Sequence, residues 1–245
     1  MQLDCPISVY PLIDPKPWGY ELVHTHDMSV IRNGKYRGCY LKDVIDNLPY
    51  VLKTIKTSSP LSVQNHPPGF PEEWYINQCD SKSKIYSGAK SLHVFNDADN
   101  NYQKCLDMLN GQNIKSGDQI TIGSGVPHSI GSDVELIEVS MPKNRTFRLA
   151  DNYGRPTQRN EFLSSYYGGL YQQHKKPWNM TQTYNPKPYI DKLQIFIPIE
   201  SPLSIAYDDI HLLTVDILSP VILPAQCKFK ILNKIIKLLV IETAS

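Results

Sequence analysis

Short runs of β-branched and aromatic residues, separated by turn residues, recur along the first 150 positions of the chain. We predict strands at 50–57, 61–64, 72–77, 84–88, 91–95, 119–123, 134–140 and 146–150. Apolar residues at helical spacing predict short helices over 40–48 and 99–111, the second ending at Gly111. The pattern therefore predicts a mainly all-β fold with a few short helices.

A looser stretch with aromatic residues and prolines follows Arg155, and strand-like patterns resume near residue 193. We place a boundary near residue 158, which gives one domain over 1–158 and a smaller C-terminal β module over 159–245. Further strands are predicted at 193–199, 211–218, 229–232 and 235–242. The last two would form a hairpin around Asn233 and Lys234.

Composition excludes several classes of partner. With 25 basic and 24 acidic residues, the formal net charge of +1 leaves no cationic field for nucleic acid or anionic lipid. The five cysteines are scattered and never spaced C-x-x-C, which argues against a disulfide framework or a thiolate zinc site. No signal-peptide pattern or transmembrane run is present, so we expect a cytoplasmic protein. The oligomeric state cannot be read from these features.

The stretch "LSVQNHPPGFPEEWY" places Gln64 and His66 two residues apart, so in a strand both side chains point to one face. A Pro- and Gly-rich turn then leads to Glu72. In "ITIGSGVPHSIG", a glycine turn precedes His128 at the start of another strand. This order of motifs is typical of a cupin, a small jelly-roll barrel that would bring the four side chains together. An amide, two imidazoles and a carboxylate suit one divalent cation, with Zn²⁺ first and iron, manganese or cobalt as alternatives.

Two alternatives bear on this ligand set. Glu73 also carries a carboxylate, but in a regular strand it faces away from Glu72. His24 and His26 are also two residues apart, yet neither a glycine turn nor a downstream glutamate accompanies them. Since a lone histidine is more often structural than a ligand, we interpret this pair as part of a solvated strand or loop.

The segments "PLSVQNHP", "EEWYINQCDSKSKIYSGAK", "ITIGSGVPHSIG" and "VELIEVSMPKNRTFRLADNYGR" resemble, in order, those of the type I mannose-6-phosphate isomerases. The resemblance covers most of residues 10 to 160 and is weak beyond them. It implies a metal-dependent aldose–ketose isomerase that interconverts mannose 6-phosphate and fructose 6-phosphate through a cis-enediol. The metal ligands that it implies are Gln64, His66, Glu72 and His128.

The resemblance also implies roles for residues around the metal. Arg148 would hold the enediolate oxygen, and Glu138 would shuttle the proton. Strand alternation supports Glu138 over Glu135, which projects from the opposite face. Ser62 falls where the family contacts substrate phosphate, and Arg155 lies near a cationic position with the same purpose. Lys53 is a further candidate donor to phosphate, because a nearly neutral protein must hold an anion with a few aimed groups.

Two departures from the family keep other functions open. "HPPGFPEEWY" lacks the lysine that members often carry after the Q-x-H-P motif, and Asn144 stands where many members have an acid. The alternatives are a metal-binding cupin that acts on another sugar phosphate, a non-catalytic sugar-binding module, and an iron-dependent oxygenase. Oxygenases usually present His-x-His where this chain has Gln64 and His66. The predicted partner is in any case a small molecule, a sugar phosphate.

Overall fold

The computed structural model describes residues 3–46, 48–170, 176–184, 192–208, 211–225, 227–234 and 236–243. These residues divide into two compact units. One unit contains segments from both ends of the chain, 1–12, 23–51 and 176–245, and is called the N-terminal and C-terminal unit. The other, the central unit, comprises 13–22 and 52–175. This division differs from the predicted boundary at residue 158, because the first strand pairs with a strand near the end of the chain.

The central unit contains two antiparallel sheets and two α-helices. The first sheet has the strand order β10-β7-β12-β5-β3-β2, and the second has the order β13-β6-β11-β8-β9. The strands of the first sheet are β2 (Leu12–Lys16), β3 (Gly19–Val23), β5 (Val51–Thr57), β7 (Glu72–Cys79), β10 (Gln119–Ile122) and β12 (Val134–Ser140). Those of the second sheet are β6 (Val63–Asn65), β8 (Lys84–Ala89), β9 (Leu109–Asn113), β11 (His128–Ile130) and β13 (Phe147–Ala150).

Helix α1 (Tyr102–Asp107) begins at a cap residue, Asn101, whose side-chain oxygen accepts a hydrogen bond from the Lys104 backbone N–H at 3.0 Å. Helix α2 (Arg159–Gly169) buries Phe162 and Tyr166. Both aromatic rings meet Phe95 edge to face, with ring centroids 5.3 Å apart. These contacts fix α2 against the central unit.

Strand alternation creates two apolar clusters in the central unit. One is built on Trp74, Ile76 and Leu136, which are almost completely buried. The other lies beneath the two helices and contains Leu149 and Phe162. Each fully buried side chain of this size contributes about 1.5–3 kcal/mol of transfer free energy. The apolar packing thereby fixes the strands that carry the polar residues described below.

The N-terminal and C-terminal unit is also a β structure. Its larger sheet has the order β14-β20-β15-β18-β1-β4, and a three-stranded sheet has the order β17-β16-β19. Two short 3₁₀ helices, Gly34–Tyr36 and Leu41–Asp43, complete it. The strands are β1 (Ile7–Tyr10), β4 (Val30–Ile31), β14 (Trp178–Tyr184), β15 (Gln194–Pro198), β16 (Leu203–Tyr207), β17 (His211–Val215), β18 (Val221–Leu223), β19 (Phe229–Ile231) and β20 (Lys237–Thr243).

The mainly all-β prediction is confirmed, and most of the predicted strands form. The strand predicted at 91–95 is wrong, because these residues form consecutive turns. The helix predicted over 40–48 is only a 3₁₀ turn, and the second helix ends before β9 rather than at Gly111. The hairpin around Asn233 and Lys234 is also wrong, because β19 pairs with β16 while β20 pairs with β14 and β15.

Part of the stretch expected to be loose forms helix α2, while residues 171–175 and 185–191 lie outside the described residues. The expectation of a solvated His24 is wrong, because this side chain is 5% exposed. Across the described ranges, no helix is long and apolar enough to cross a membrane.

Candidate active site

Three side chains from two separate stretches of the sequence meet inside the central unit. His66 Nε2 lies 2.9 Å from Glu72 Oε1, and His128 Nε2 lies 3.8 Å from Glu72 Oε2. The potential ligand atoms of all three lie within 4.8 Å of one another, and all three residues are buried. Two imidazoles and a carboxylate at this separation are the donor set of a divalent-metal site.

Strand pairing explains how these residues converge. His128 opens β11 and lies directly opposite Gln64 of β6, and Arg148 of β13 lies opposite Gln64 on its other side. Glu72 opens β7 after the proline-rich turn, on the facing sheet. The turn works as the sequence predicted, because it returns the chain so that Glu72 faces His66.

The turn before His128 depends on close backbone packing. Gly125 has a φ of +72°, and a Cβ there would lie 2.3 Å from the carbonyl oxygen of Ser165 in α2. Gly169 faces the same turn, where a Cβ would lie 2.3 Å from the Ser124 carbonyl oxygen. Only glycine fits at both positions. Helix α2, which the sequence patterns missed, therefore holds the turn that leads into His128.

Both imidazoles are oriented by backbone carbonyl groups. His66 Nδ1 lies 2.9 Å from the Arg145 carbonyl oxygen, and His128 Nδ1 lies 2.9 Å from that of Val126. When Nδ1–H donates to a carbonyl oxygen, the free electron pair of the ring is on Nε2. This is the usual arrangement of a metal-binding histidine. The donor set and its supports therefore fit a bound divalent cation.

Burial and neighbouring charges set the protonation of the cluster. Burial lowers the pKa of His128 to about 4, helped by the proximity of His66. Burial would also lower the pKa of His66, but attraction to Glu72 outweighs it and raises that pKa. Burial opposes ionisation of Glu72, yet the nearby imidazoles lower its pKa to about 2. Glu72 and His128 thus take the forms that bind metal, and a cation bound beside Glu72 would displace the proton that the charge of Glu72 favours on His66.

Gln64 lies beside the cluster, with its Nε2 3.4 Å from His128 Nε2. Its Oε1 accepts a hydrogen bond of 2.7 Å from the hydroxyl of Ser62. Because a hydroxyl both donates and accepts, rotating the amide by half a turn keeps the bond to Ser62 and presents Oε1 to the cluster. Ser62 itself is fully buried and supports Gln64 rather than lining the cavity.

A cavity of about 200 Å³ opens beside the cluster. It is smaller than the roughly 300–1,000 Å³ pockets that hold drug-sized molecules, so it suits a small polar ligand. Its wall contains the aromatic side chains of Trp18 and Trp74. The charged and amide side chains that line it, beyond the cluster, are Lys16, Glu21, Lys53, Gln64, Glu138, Asn144, Arg148 and Arg155.

Glu138 and Lys53 form an ion pair in this cavity, with Oε1 3.2 Å from Nζ. Ser140 donates a second hydrogen bond to the same oxygen at 3.1 Å. Burial and the charge of Glu72 raise the pKa of Glu138, while Lys53 opposes the shift. Burial would lower the pKa of Lys53, but Glu138 and Glu21 together raise it. Glu135 instead pairs with Lys56, at 3.4 Å, away from this cavity.

Arg148 and Arg155 differ in their partners. Arg155 makes two hydrogen bonds to Asp151 Oδ1, at 2.9 and 2.6 Å, and the Asp151 side chain is 1% exposed. Arg148 Nε is buried without a hydrogen-bond partner among the described residues. Burial and the charge of Arg155 lower the pKa of Arg148. Arg148 lines the cavity, so its guanidinium group can donate hydrogen bonds to a ligand there.

Asn144 is a residue whose contribution the sequence patterns did not identify. Its Nδ2 donates a hydrogen bond of 3.2 Å to Glu72 Oε1. Its Oδ1 is buried without a partner in the part of the chain that the structure describes. Lys16 and Glu21 were also missed. Alternation along β2 and β3, flanking the "PKPWG" turn, is the signal that could have placed both on the barrel face.

The two sheets of the central unit and the polar cluster that they carry define a cupin-type fold with a candidate divalent-metal centre. No family model matches the chain. A mannose-6-phosphate isomerase of Streptococcus mutans is 26% identical over 155 residues, covering 52% of this chain. The match spans 48% of that relative, about half of its length.

Solved structures share the fold over nearly the whole chain. The mannose 6-phosphate isomerase of Bacillus subtilis superimposes with a TM-score of 0.77 at 17% identity, covering 98% of this chain and 100% of that one. A zinc-bound mannose 6-phosphate isomerase superimposes with a TM-score of 0.67 at 11% identity, covering 98% and 99%. The chain therefore has the fold of the mannose 6-phosphate isomerases, and the predicted resemblance is confirmed.

Proposed function

We propose that this chain is a metal-dependent aldose–ketose isomerase that interconverts mannose 6-phosphate and fructose 6-phosphate. The cluster of His66, Glu72 and His128 carries the proposal, because two of its members, His66 and Glu72, line a polar cavity together with Glu138 and Arg148. The likeness to named isomerases supports the choice of substrate.

Gln64, His66, Glu72 and His128 would hold the cation. A bound Zn²⁺ supplies Lewis-acid polarisation of the sugar oxygens, worth several kcal/mol of transition-state stabilisation. The protein groups then have to position the sugar, move one proton between C1 and C2, and stabilise the charge that develops on oxygen.

Glu138 is the group that moves the proton in this proposal. Its carboxylate is buried and lines the cavity, and its pKa is raised, so it is a stronger base than an exposed glutamate. Lys53 and Ser140 hold its Oε1, which leaves Oε2 for the C–H of the sugar. Glu138 takes the proton from C2 of the aldose and returns it to C1 while the hydroxyl proton passes from O2 to O1, so the carbonyl group moves from C1 to C2 through a cis-enediol.

Arg148 stabilises the developing oxyanion. Its side chain lines the cavity, and donors fixed before the reaction cost no reorganisation as charge develops. The guanidinium remains protonated through the cycle because its pKa is far above neutral.

One feature favours a second candidate, a metal-binding cupin that acts on another sugar phosphate. The turn between His66 and Glu72 contains no lysine, and Lys53, with its two carboxylate partners, is the lysine beside Glu138. A changed set of hydrogen bonds near the sugar would change which hexose phosphate fits.

The test is a coupled assay of mannose 6-phosphate conversion to fructose 6-phosphate, with metal analysis of the same sample. The proposal predicts turnover by protein that carries one divalent cation per chain. A parallel assay with other aldose phosphates identifies the second candidate. Metal-loaded protein that converts none of these substrates would reject both isomerase functions and favour a binding module.

A further inference from the structure

The cavity presents a row of charged side chains across one sheet. Along the strand order β7-β12-β5-β3-β2, the charged residues that line the cavity are Glu72, Glu138, Lys53, Glu21 and Lys16. The row runs from the metal cluster towards the edge of the sheet, and all five side chains line the same cavity of about 200 Å³. Lys16, on the edge strand β2, stands at the end of the row away from the cluster.

The cationic side chains that line this cavity differ in how easily each can leave its present partner to bind an anion. Lys53 lies between Glu138, at 3.2 Å, and Glu21, at 3.6 Å. Arg155 is held by Asp151, and withdrawing it would leave a buried carboxylate without its counter-charge, which is costly. Neither group can turn to a phosphate without breaking a buried pair.

Lys16 has a different partner. Its Nζ lies 2.5 Å from Asp14 Oδ2, and the Asp14 side chain is 49% exposed. Exposed ion pairs of this kind contribute little, since water replaces the lost partner. The Lys16 side chain is 26% exposed, so it reaches both the cavity and solvent.

From this comparison we infer that Lys16 is the cation that binds the phosphate group of the substrate, and that it selects phosphorylated over unphosphorylated sugars. The inference deepens the proposed function, on which it rests for the identity of the sugar. A sugar phosphate would then lie along the charge row, with its reacting carbons at the cluster and its phosphate at Lys16. Neither the sequence motifs nor the comparisons assign Lys16 any role.

The test measures binding of D-glucitol 6-phosphate and of D-glucitol to zinc-loaded full-length protein by titration calorimetry. Neither probe has a carbonyl group, so binding is separated from turnover. Lys16→Gln is expected to weaken D-glucitol 6-phosphate binding roughly 10- to 100-fold, the loss of one charge-assisted hydrogen bond. Binding of D-glucitol should not change.

Matched variants separate this role from folding. Lys56→Gln also removes an ion-paired lysine from the same sheet, but Lys56 lies outside the cavity, and binding should stay at the wild-type value. Lys16→Arg keeps the charge and should retain most of the affinity. Asp14→Asn removes the competing carboxylate and should strengthen binding of the phosphorylated probe.

The possible failures are distinguishable. If Lys16→Gln contains normal zinc and binds D-glucitol 6-phosphate as the wild type does, the inference is wrong even if the enzyme is active. It is also wrong if the wild type binds both probes equally. If Lys16→Gln loses affinity as expected but the wild type converts no mannose 6-phosphate, the phosphate site stands and the proposed reaction fails.

Discussion

Lys53 Nζ lies 3.2 Å from Glu138 Oε1, at a cavity that the candidate metal ligands Gln64, His66 and Glu72 also line. Lys53 opposes two effects that raise the pKa of Glu138. Burial and Glu72 raise its pKa, and the ammonium group of Lys53 limits that rise. A carboxylate whose pKa is raised by burial and limited by a neighbouring cation can accept a proton from carbon and return it near neutral pH.

The proton-transfer role of Glu138 predicts a large loss of rate. Glu138→Gln keeps the shape of the side chain but cannot take up a proton, so kcat should fall about 10²- to 10⁴-fold while zinc content stays normal. Glu135→Gln is the matched control, because Glu135 belongs to the same strand but contacts Asn77 and Lys56 instead. Equal rates for the two variants, measured in the coupled assay, would show that another group is the base.

Removal of the Lys53 charge should shift the pH dependence of kcat/KM. Lys53 lowers the pKa of Glu138, so Lys53→Met should raise that pKa. Because the base acts in its ionised form, the rising limb of log kcat/KM against pH should shift to higher pH. Lys56→Met should leave the limb in place. A shift to lower pH in Lys53→Met would contradict the pairing of Lys53 with the catalytic base.

Asn144 should strengthen metal binding through Glu72. Its Nδ2 holds Glu72 Oε1 at 3.2 Å, so Asn144→Ala should weaken zinc affinity about 10- to 100-fold, as for other groups that orient metal ligands. Competition with a chromogenic chelator measures this without any assay of turnover. Arg145→Ala provides the control, because the variant keeps the backbone carbonyl that His66 contacts. Unchanged zinc affinity in Asn144→Ala would remove Asn144 from the metal site.

His24 should make the protein sensitive to acid. Burial lowers its pKa to about 4, whereas an unfolded histidine titrates near 6.5. Between these values the unfolded chain binds the extra proton, so stability falls as pH decreases from about 6.5 to about 4. The contribution of His24 to the free energy of unfolding that is lost by pH 4.5 is roughly 2 kcal/mol.

Urea unfolding at pH 7 and pH 4.5 measures this effect. His24→Phe removes the titrating group and should show a smaller loss of stability between the two pH values. His26→Gln should show the wild-type loss, since His26 is exposed. The assignment to His24 would be refuted if His24→Phe and the wild type lost the same free energy.

The convergence of the candidate ligands could be predicted because each of them lies within its own local pattern. Gln64 and His66 share a strand face, and His128 follows a glycine turn, so short-range rules were sufficient. The choice of Glu72 over Glu73 followed from alternation, and the 2.9 Å contact between Glu72 and His66 agrees with it.

Other features depended on long-range contacts that local patterns do not contain. Strand β1 forms because Ile7 and Ser8 pair with Ile222 and Val221. Helix α2 has a weak amphipathic pattern and two glycines, and it is fixed by packing of Phe162 and Tyr166 against Phe95. The contact of Asn144 with Glu72 likewise became visible only when a loop and a facing strand came together.

Metal removal tests the central claim most directly. Protein stripped with a chelator should lose turnover of mannose 6-phosphate, and one equivalent of Zn²⁺ per chain should restore it. His128→Ala should bind less zinc and unfold at a lower temperature than the zinc-loaded wild type. Full turnover by metal-free protein, or normal zinc content in His128→Ala, would contradict the account.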